Sequence, residues 1–389
     1  METMIPRYFN PPGMSYFLFG PRGTGKSTFL QAHYPGALKI DLLQPDVYRT
    51  MAARPERLRE LVHGSPNQRV IVIDEVQKLP EILSVVHGLI EEQRDYQFIL
   101  TGSSARQLKR SNADLLAGRV IWKTLHPFMI SEMGAAGSLD RALQYGMLPV
   151  VFSSPHSGET LKSYVGLYVR EEVQQESLTR NIGNFSRFLE AISFSHASLL
   201  NISNVARECE VERKVVESYI GILEDILLGF QVRAFTKRAQ RAVISHPKFY
   251  FFDTGVFRTL RPAGPLDRPE EIGGAALEGL VAQHLKAWNA YANEPCELYF
   301  WRTTKGVEVD FVLYGQSGIV AMEVKNTSVI RVQDLRGLKT FKMDYPESTA
   351  VFLYRGTEKM MIEDIHCIPC ELFFRQLVPA RPLSSVFNL

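Results

Sequence analysis

The sequence predicts an α/β protein of more than one domain, opening with a doubly wound parallel sheet. Three observations carry this. The chain has 389 residues, more than a single core of ~150 residues accommodates. Its first third alternates short apolar runs with polar, helix-compatible segments, the pattern of buried parallel strands joined by crossover helices. Its last third carries a second series of short strands in which charged and apolar residues alternate strictly.

The first five strands are expected at Tyr16–Phe19, Leu38–Ile40, Val70–Ile73, Phe98–Leu100 and Val120–Trp122, each bounded by Gly, Asp or polar residues. Residues 1–135 therefore read as one α/β domain. From Leu139 the apolar spacing changes to threes and fours, as in Phe188, Leu189 and Ile192, and again in Val215, Val216, Tyr219, Ile220 and Leu223. Ser203 is expected to cap a short helix, Asn204–Glu208. A longer helix, Glu212–Leu228, follows a tight connection and leads to an extended run, Phe230–Phe235. Two tightly joined helices followed by a β segment predict a winged-helix unit, within a helical connector spanning 136–240. Pro and Gly then accumulate from Pro262 to Gly274. Beyond them a helix (Ala275–Ala290), strands (Leu298–Arg302, Val307–Tyr314, Ile319–Lys325), a helix near Val332–Met343 and a strand (Ala350–Tyr354) predict a compact α/β domain at 241–389.

Lys and Arg number 44 against 42 Asp and Glu, a formal net charge of +2, which argues against a histone-like or acidic-tail protein. A local basic surface remains compatible with that total. The first residues lack the basic start and apolar run of a secretory signal, and no stretch approaches the ~18 apolar residues of a membrane span. Cys209, Cys296, Cys367 and Cys370 are too few for a disulfide framework, so a reduced, cytoplasmic protein without a membrane partner is expected. Cys367-Ile368-Pro369-Cys370 has no second C-x-x-C with which to build a zinc site.

Gly20-Pro21-Arg22-Gly23-Thr24-Gly25-Lys26-Ser27 satisfies the G-x-x-x-x-G-K-[ST] pattern. An apolar run precedes it and a helix-compatible segment beginning with Thr28 follows. Small residues let backbone N–H groups close around a polyphosphate at a helix N-terminus. Lys26 is then placed to reach the β- and γ-phosphates of ATP, and Ser27 to ligate Mg²⁺. Val70-Ile71-Val72-Ile73-Asp74-Glu75 supplies the partner: Asp74 for the Mg²⁺ shell, Glu75 to orient or deprotonate the attacking water. Thr101 or Ser103, at the end of the fourth strand, is expected to sense the γ-phosphate. Arg119 is the candidate for stabilising transferred charge, in cis or from a neighbouring subunit, with Arg106 its rival and a structural salt bridge the plainer alternative.

At the far end, Glu308 and Asp310 share one strand face while Val307, Val309 and Phe311 share the other. Glu323 and Lys325 share a face in the same way, opposite Val320, Met322 and Val324. A turn through Gly315 to Gly318 would pair the two strands and bring Asp310 close to Glu323 and Lys325. Carboxylates and a lysine converging on a sheet suit metal-dependent phosphodiester cleavage, with Asp310 and Glu323 as hard oxygen ligands for Mg²⁺ and Lys325 positioning water or stabilising the transition state. Glu278, on the preceding helix, could reach the same centre. The alternative is a set of exposed strand charges forming surface ion pairs. Between these regions Arg233, Lys237, Arg238, Arg241, Lys248, Arg258, Arg261 and Arg268 form a basic segment suited to DNA backbone contacts, and Arg213 and Lys214 open the candidate recognition helix.

Together these motifs resemble a widespread prokaryotic family of AAA-type ATPases with a C-terminal domain of nominally unknown function and restriction-endonuclease-like core. Residues carrying the resemblance are Gly20–Ser27, Asp74-Glu75-Val76-Gln77, Leu100–Ser104 and Leu116-Ala117-Gly118-Arg119. Further along they are Pro247–Gly255, Glu278-Gly279-Leu280-Val281, Trp301-Arg302, Glu308-Val309-Asp310-Phe311 and Glu323-Val324-Lys325. Tyr145-Gly146-Met147-Leu148-Pro149 departs from the family, which usually has paired glycines before Leu-Pro. The resemblance implies a helical lid after the ATPase core, a homo-oligomer, and a PD-(D/E)xK nuclease site formed by Glu278, Asp310, Glu323 and Lys325. The function it implies is an ATPase that controls or drives a Mg²⁺-dependent DNA nuclease, with branched and single-stranded DNA among the candidate substrates. An ATP-driven DNA remodeller that does not cut, and an ATP-dependent assembly or signalling switch, are the alternatives.

Overall fold

The computed structural model describes residues 5–92, 95–104, 116–168, 182–239, 241–265 and 267–387. The chain divides into two compact units. One comprises Phe9–His126 with Leu223–Leu227; the other comprises Met1–Tyr8, Pro127–Ile222 and Leu228–Leu389.

The first unit is built on a five-stranded sheet of β1 (Tyr16–Phe19), β2 (Leu38–Asp41), β3 (Val70–Asp74), β4 (Gln97–Gly102) and β5 (Ile121–Thr124), in the order β2-β3-β4-β1-β5. Every pairing is parallel. Continuous apolar strands are required because both faces are covered. Phe17, Phe19, Ile71, Ile73, Phe98 and Leu100 join a core with Leu58 and Val62 of the helix Arg57–Gly64 and Leu83 and Val86 of the helix Ile82–Glu91. Tyr16 points the other way, towards Phe9, which packs edge-on against Phe29. The sheet order decides where chemistry can sit. With β4 between β1 and β3, the loops leaving the carboxyl ends of all three are neighbours, a common binding crevice in doubly wound sheets. The fifth strand starts one residue later than its apolar run suggests, because the Val120 N–H closes a turn onto the Leu116 carbonyl.

The second unit contains a nine-stranded sheet of β6 (Ser198–Leu199), β7 (Gly229–Ala234), β8 (Lys248–Phe251), β9 (Glu297–Arg302), β10 (Glu308–Gly315), β11 (Gly318–Val324), β12 (Thr349–Tyr354), β13 (Met360–Ile362) and β14 (Ile365–Pro369). Its order is β13-β14-β12-β11-β10-β9-β7-β8-β6. A helix, Ile182–Ser193, precedes β6, and the helices Ile202–Glu208 and Arg213–Asp225 separate β6 from β7. The cap of the first of these is Asn201, whose side chain accepts the Asn204 N–H, rather than Ser203. β8 pairs antiparallel with both β6 and β7, while β7 pairs parallel with β9. The connector and the C-terminal strands thus share one continuous sheet.

β10 and β11 pair antiparallel through the Gly315–Gly318 turn, as their alternation predicts. The 23-residue helix Pro269–Tyr291 packs its Leu277, Leu280, Val281 and Leu285 into the core with Phe311, Met322 and Val351. Glycine is required at Gly146: its φ is +75°, and a β-carbon there would lie 2.0 Å from Asp253 Oδ1. That buried carboxylate accepts the N–H groups of Met147, Gly255 and Val256, tying the Tyr145–Pro149 segment to the helix Thr254–Leu260. No helix among the described residues is long and apolar enough to cross a membrane. All four cysteines are free, and burial raises the Cys367 and Cys370 thiols to about 11 and about 12, which leaves them unreactive.

Most of the basic segment is exposed, but several of its charges are already paired. Lys237 pairs with Glu297, Arg241 with Asp344, Arg261 with Asp267 and Arg268 with Glu271. Lys248 is buried with 2% of its side chain exposed. Arg233, Lys237, Arg238, Arg241, Arg258 and Arg268 are exposed, as are Arg213 and Lys214.

Candidate functional site

Two polar centres emerge, one in each unit. In the first, Gly23 and Gly25 take positive φ angles of 79° and 86°, curling the loop between β1 and the helix Lys26–His33. A β-carbon on Gly20 would lie 2.5 Å from the Leu125 carbonyl oxygen, so the loop must start with glycine. The loop is closed by Thr24, whose hydroxyl donates to the Pro21 carbonyl at 2.7 Å. Lys26 is buried, its ammonium donating to the carbonyls of Gly20 (2.6 Å) and Pro21 (3.4 Å). Arg22, Ser27 and Thr28 are exposed along the loop and the first helical turn.

The carboxyl end of β3 faces this loop. Ser27 Oγ donates to Asp74 Oδ2 at 3.2 Å, and Thr101 Oγ1 donates to Asp74 Oδ1. Thr101 in turn accepts the Glu75 N–H at 3.2 Å. Glu75 stands in the left-handed region at φ 59°, a costly conformation for a non-glycine residue, and β3 and β4 hold it there. Its carboxylate is fixed by Gln77, whose amide donates to Glu75 Oε2 at 2.5 Å and to Ser103 Oγ at 3.1 Å. Gln77 Oε1 is buried, and a side chain on Gly102 would strike it at 2.5 Å, so Gly102 makes room for this amide. Arg119 pairs with Glu91 at 2.5 Å, with 41% of its own side chain exposed. Arg106 lies outside the described residues.

The second centre lies where β8, β10, β11 and the helix Pro269–Tyr291 meet. Asp310 and Glu323 are buried, 5% and 6% exposed, so these are not surface charges. Asp310 Oδ2 accepts the Val324 N–H across the hairpin at 2.9 Å. Glu323 Oε1 pairs with Lys325 Nζ at 2.7 Å, and Glu323 Oε2 is buried without a hydrogen-bond partner. Glu278 Oε1 accepts from the Tyr250 hydroxyl at 2.7 Å. Lys248 reaches the middle of the group: its ammonium lies 2.9 Å from Glu278 Oε1, 2.5 Å from Glu308 Oε1 and 3.1 Å from Asp310 Oδ1. Arg302 holds the other Glu308 oxygen at 2.9 Å. Lys248, Glu278, Glu308, Asp310, Glu323 and Lys325 line an open cavity of about 550 Å³.

The electrostatics say what the cluster lacks. Burial first, and then repulsion from Asp310, raises Glu278 to about 7 and Glu323 well above the carboxylate range. Burial alone would lower Lys248, but Glu278, Tyr250, Asp310 and Glu308 more than reverse it, and the ammonium is held charged. Lys325 is raised against the effect of burial by Glu323 and Asp310. The carboxylates outweigh the cations that serve them, the condition a further cation relieves. Hard oxygen donors suit Mg²⁺, and the unpartnered Glu323 oxygen is one such donor. Among the described residues, however, no three side chains of the acidic, imidazole or thiol type are arranged to hold a metal ion.

The family model for an AAA domain matches residues 13–134. With the loop, Asp74 and Glu75 assembled beside one another, this decides the first centre. The protein carries an AAA-type ATPase domain. Models for two domains of unknown function, DUF8612 and DUF4143, match residues 136–267 and 273–373. Uncharacterized proteins of Mycobacterium bovis and Mycobacterium tuberculosis are each 25% identical over 356 residues, covering 89% of this chain and 78% of theirs. An uncharacterized protein of Haemophilus influenzae is 21% identical over 52% of this chain and 54% of its own. The replication initiator DnaA, bound to AMPPCP and single-stranded DNA, aligns at 14% identity and a TM-score of 0.28, covering 55% of this chain and 82% of that one. AMPPCP-bound DnaA from Aquifex aeolicus aligns at a TM-score of 0.29, with 14% identity over 54% of this chain and 81% of its own. Superpositions this loose establish neither fold nor function for the chain.

Within the AAA domain the structure brings Ser27, Asp74, Glu75, Thr101 and Ser103 together and gives Arg119 a salt bridge. In the second centre it brings Glu278, Asp310, Glu323 and Lys325 together. Sequence reasoning assigned no role to Gln77, Tyr250 or Glu308, and placed Lys248 in the basic segment. The signal for Gln77 was its position two residues after Glu75. Lys248 and Tyr250 gave one too, alternating polar groups among the aromatics of a strand.

Proposed function

We propose that the ATPase domain powers or gates a DNA-acting protein whose second centre cleaves phosphodiester bonds with a divalent metal. The observation that supports this reading best is the convergence of Glu278, Asp310, Glu323 and Lys325 from a helix and a hairpin onto one open, carboxylate-rich cavity.

At the ATPase centre Lys26 neutralises charge on the β- and γ-phosphates, Ser27 and Asp74 hold Mg²⁺, and Glu75 takes a proton from the attacking water. Gln77 and Ser103 keep the Glu75 carboxylate aimed. At the second centre Asp310 and Glu323 are the residues to hold the metal, which supplies a Lewis acid and an acidified water. Lys325 stabilises charge on the phosphate, and Tyr250 fixes the orientation of Glu278. Arg213, Lys214, Arg233, Arg238 and Arg258 supply backbone contacts to DNA. The two helices Ile202–Glu208 and Arg213–Asp225 between β6 and β7, strands that lie on either side of β8, support the winged-helix reading of the connector. The division into 1–135, 136–240 and 241–389, the helical lid, and assembly into a homo-oligomer with Arg119 or Arg106 serving a neighbouring site belong to the same proposal.

A second reading, a remodeller or switch that cuts nothing, is favoured by Lys248, whose ammonium neutralises the carboxylates. The reading is tested by incubating linear, branched and single-stranded DNA with the protein and Mg²⁺ or Mn²⁺, with and without ATP. Cleavage is expected; no cutting of any substrate refutes the nuclease assignment.

A further inference from the structure

The lysine at the middle of the second centre comes from a different element than the acids it touches. The carboxylates it touches come from the helix Pro269–Tyr291 and from β10, whereas Lys248 opens β8, paired to β6 and β7. We propose that Lys248 is a displaceable resident cation: its ammonium holds the oxygens of Glu278, Glu308 and Asp310, and a divalent cation occupies Asp310 and Glu323 only as that ammonium withdraws. This rests on the metal reading of the same centre.

Three features carry it. The first is exclusion. A Mg²⁺ ion on Asp310 Oδ1 sits about 2.1 Å from that oxygen, and Lys248 Nζ sits 3.1 Å from it, so the two cations would stand no more than about 5 Å apart in a buried site. Their repulsion is little screened there. The second is charge. Four carboxyl groups, those of Glu278, Glu308, Asp310 and Glu323, face three cations, Lys248, Lys325 and Arg302. Exchanging Lys248 for a divalent ion would bring these acids one further positive charge. The third is the buried, unpartnered Glu323 Oε2. It is an oxygen with a lone pair to give, next to Asp310 and beyond the reach of Lys248, whose three carboxylate partners are the other acids. Tyr250 keeps Glu278 in place by its own hydrogen bond, so the acids need not follow the departing lysine.

The test reads Lys248 directly in the full-length, nucleotide-free protein. The wild type is acylated with an amine-reactive ester across a Mg²⁺ or Mn²⁺ titration, and modification at Lys248 is measured by peptide mass spectrometry against exposed Lys214. Acylation of Lys248 should rise several-fold with metal, and should not respond in Asp310→Asn. In parallel, Mn²⁺ titration calorimetry on Lys248→Met, checked for folding by circular dichroism, should show binding at least tenfold tighter than wild type. If wild type binds Mn²⁺ through Asp310 while Lys248 stays unreactive at saturation, the inference is overturned and the metal reading stands. If neither wild type nor Lys248→Met takes up Mn²⁺ in an Asp310-dependent way, the metal reading itself fails and the inference falls with it.

Discussion

Gln77 holds Glu75 by a 2.5 Å hydrogen bond while its second amide hydrogen reaches Ser103, so one buried side chain links the acid proposed to receive the proton to the residue that follows β4. A carboxylate acting on water needs its direction fixed more than its basicity raised. Gln77→Ala should lower kcat for ATP hydrolysis by roughly ten- to a hundredfold with little change in KM, since ground-state binding does not involve it. Steady-state kinetics check this. A rise in KM at constant kcat would place Gln77 in nucleotide binding instead.

Lys26 is the buried cation of the phosphate loop. Lys26→Ala should reduce ATP turnover on the order of 10²-fold or more, the scale for removing a preorganised charge from a transferring group. Retained hydrolysis would refute the phosphate-site assignment.

His284 predicts an acid limb in stability. Its Nδ1–H donates to the Leu280 carbonyl at 2.8 Å and its Nε2 accepts the Ile130 N–H at 3.0 Å, so protonation sets two donors against each other. Burial lowers its pKa from 6.5 to about 4. The unfolded chain therefore binds a proton that the folded one refuses between those values, and stability is lost as pH falls through that window, by about 3 kcal/mol from this group. Urea midpoints measured from pH 7 to 4 should fall less steeply in His284→Gln than in wild type. Parallel slopes would contradict the assignment.

Gly146 and Asp253 predict a structural pair. Gly146→Ala forces a β-carbon into the Asp253 carboxylate at an unfavourable φ, and should cost about 2 kcal/mol or more. Asp253→Ala leaves buried N–H groups of Met147, Gly255 and Val256 without their acceptor, at roughly 3 kcal/mol. The two lesions remove the same contact, so the double variant should be less damaged than their sum, as read by urea denaturation.

Residual exposed cations predict salt-sensitive DNA binding. Replacing Arg233 and Arg258 together by Ala should flatten the slope of log affinity against log salt by about 2, roughly one per lost phosphate contact. A slope near zero in the wild type would be incompatible with backbone contacts.

What the sequence made legible follows from the reach of each signal. The phosphate loop and the Glu308–Lys325 hairpin are local patterns: glycine spacing needs no distant partner, and strict alternation fixes which residues share a face. Alternation marks the strand face of Lys248, but its partner Asp310 lies 62 residues further on, a contact that no local pattern shows. The ion pairs of the basic segment are equally long-range. The acids that neutralise Lys237 and Arg241 lie 60 and 103 residues further on. Composition counts charges, and only the pairing of β8 with β6 and β7 decides which of them face inward.

The most direct test of two separate chemistries is to measure ATP hydrolysis and Mg²⁺-dependent DNA cleavage side by side in wild type and Asp310→Ala. ATP turnover should persist in Asp310→Ala while cleavage disappears. Cleavage surviving at the wild-type rate in Asp310→Ala would contradict the account.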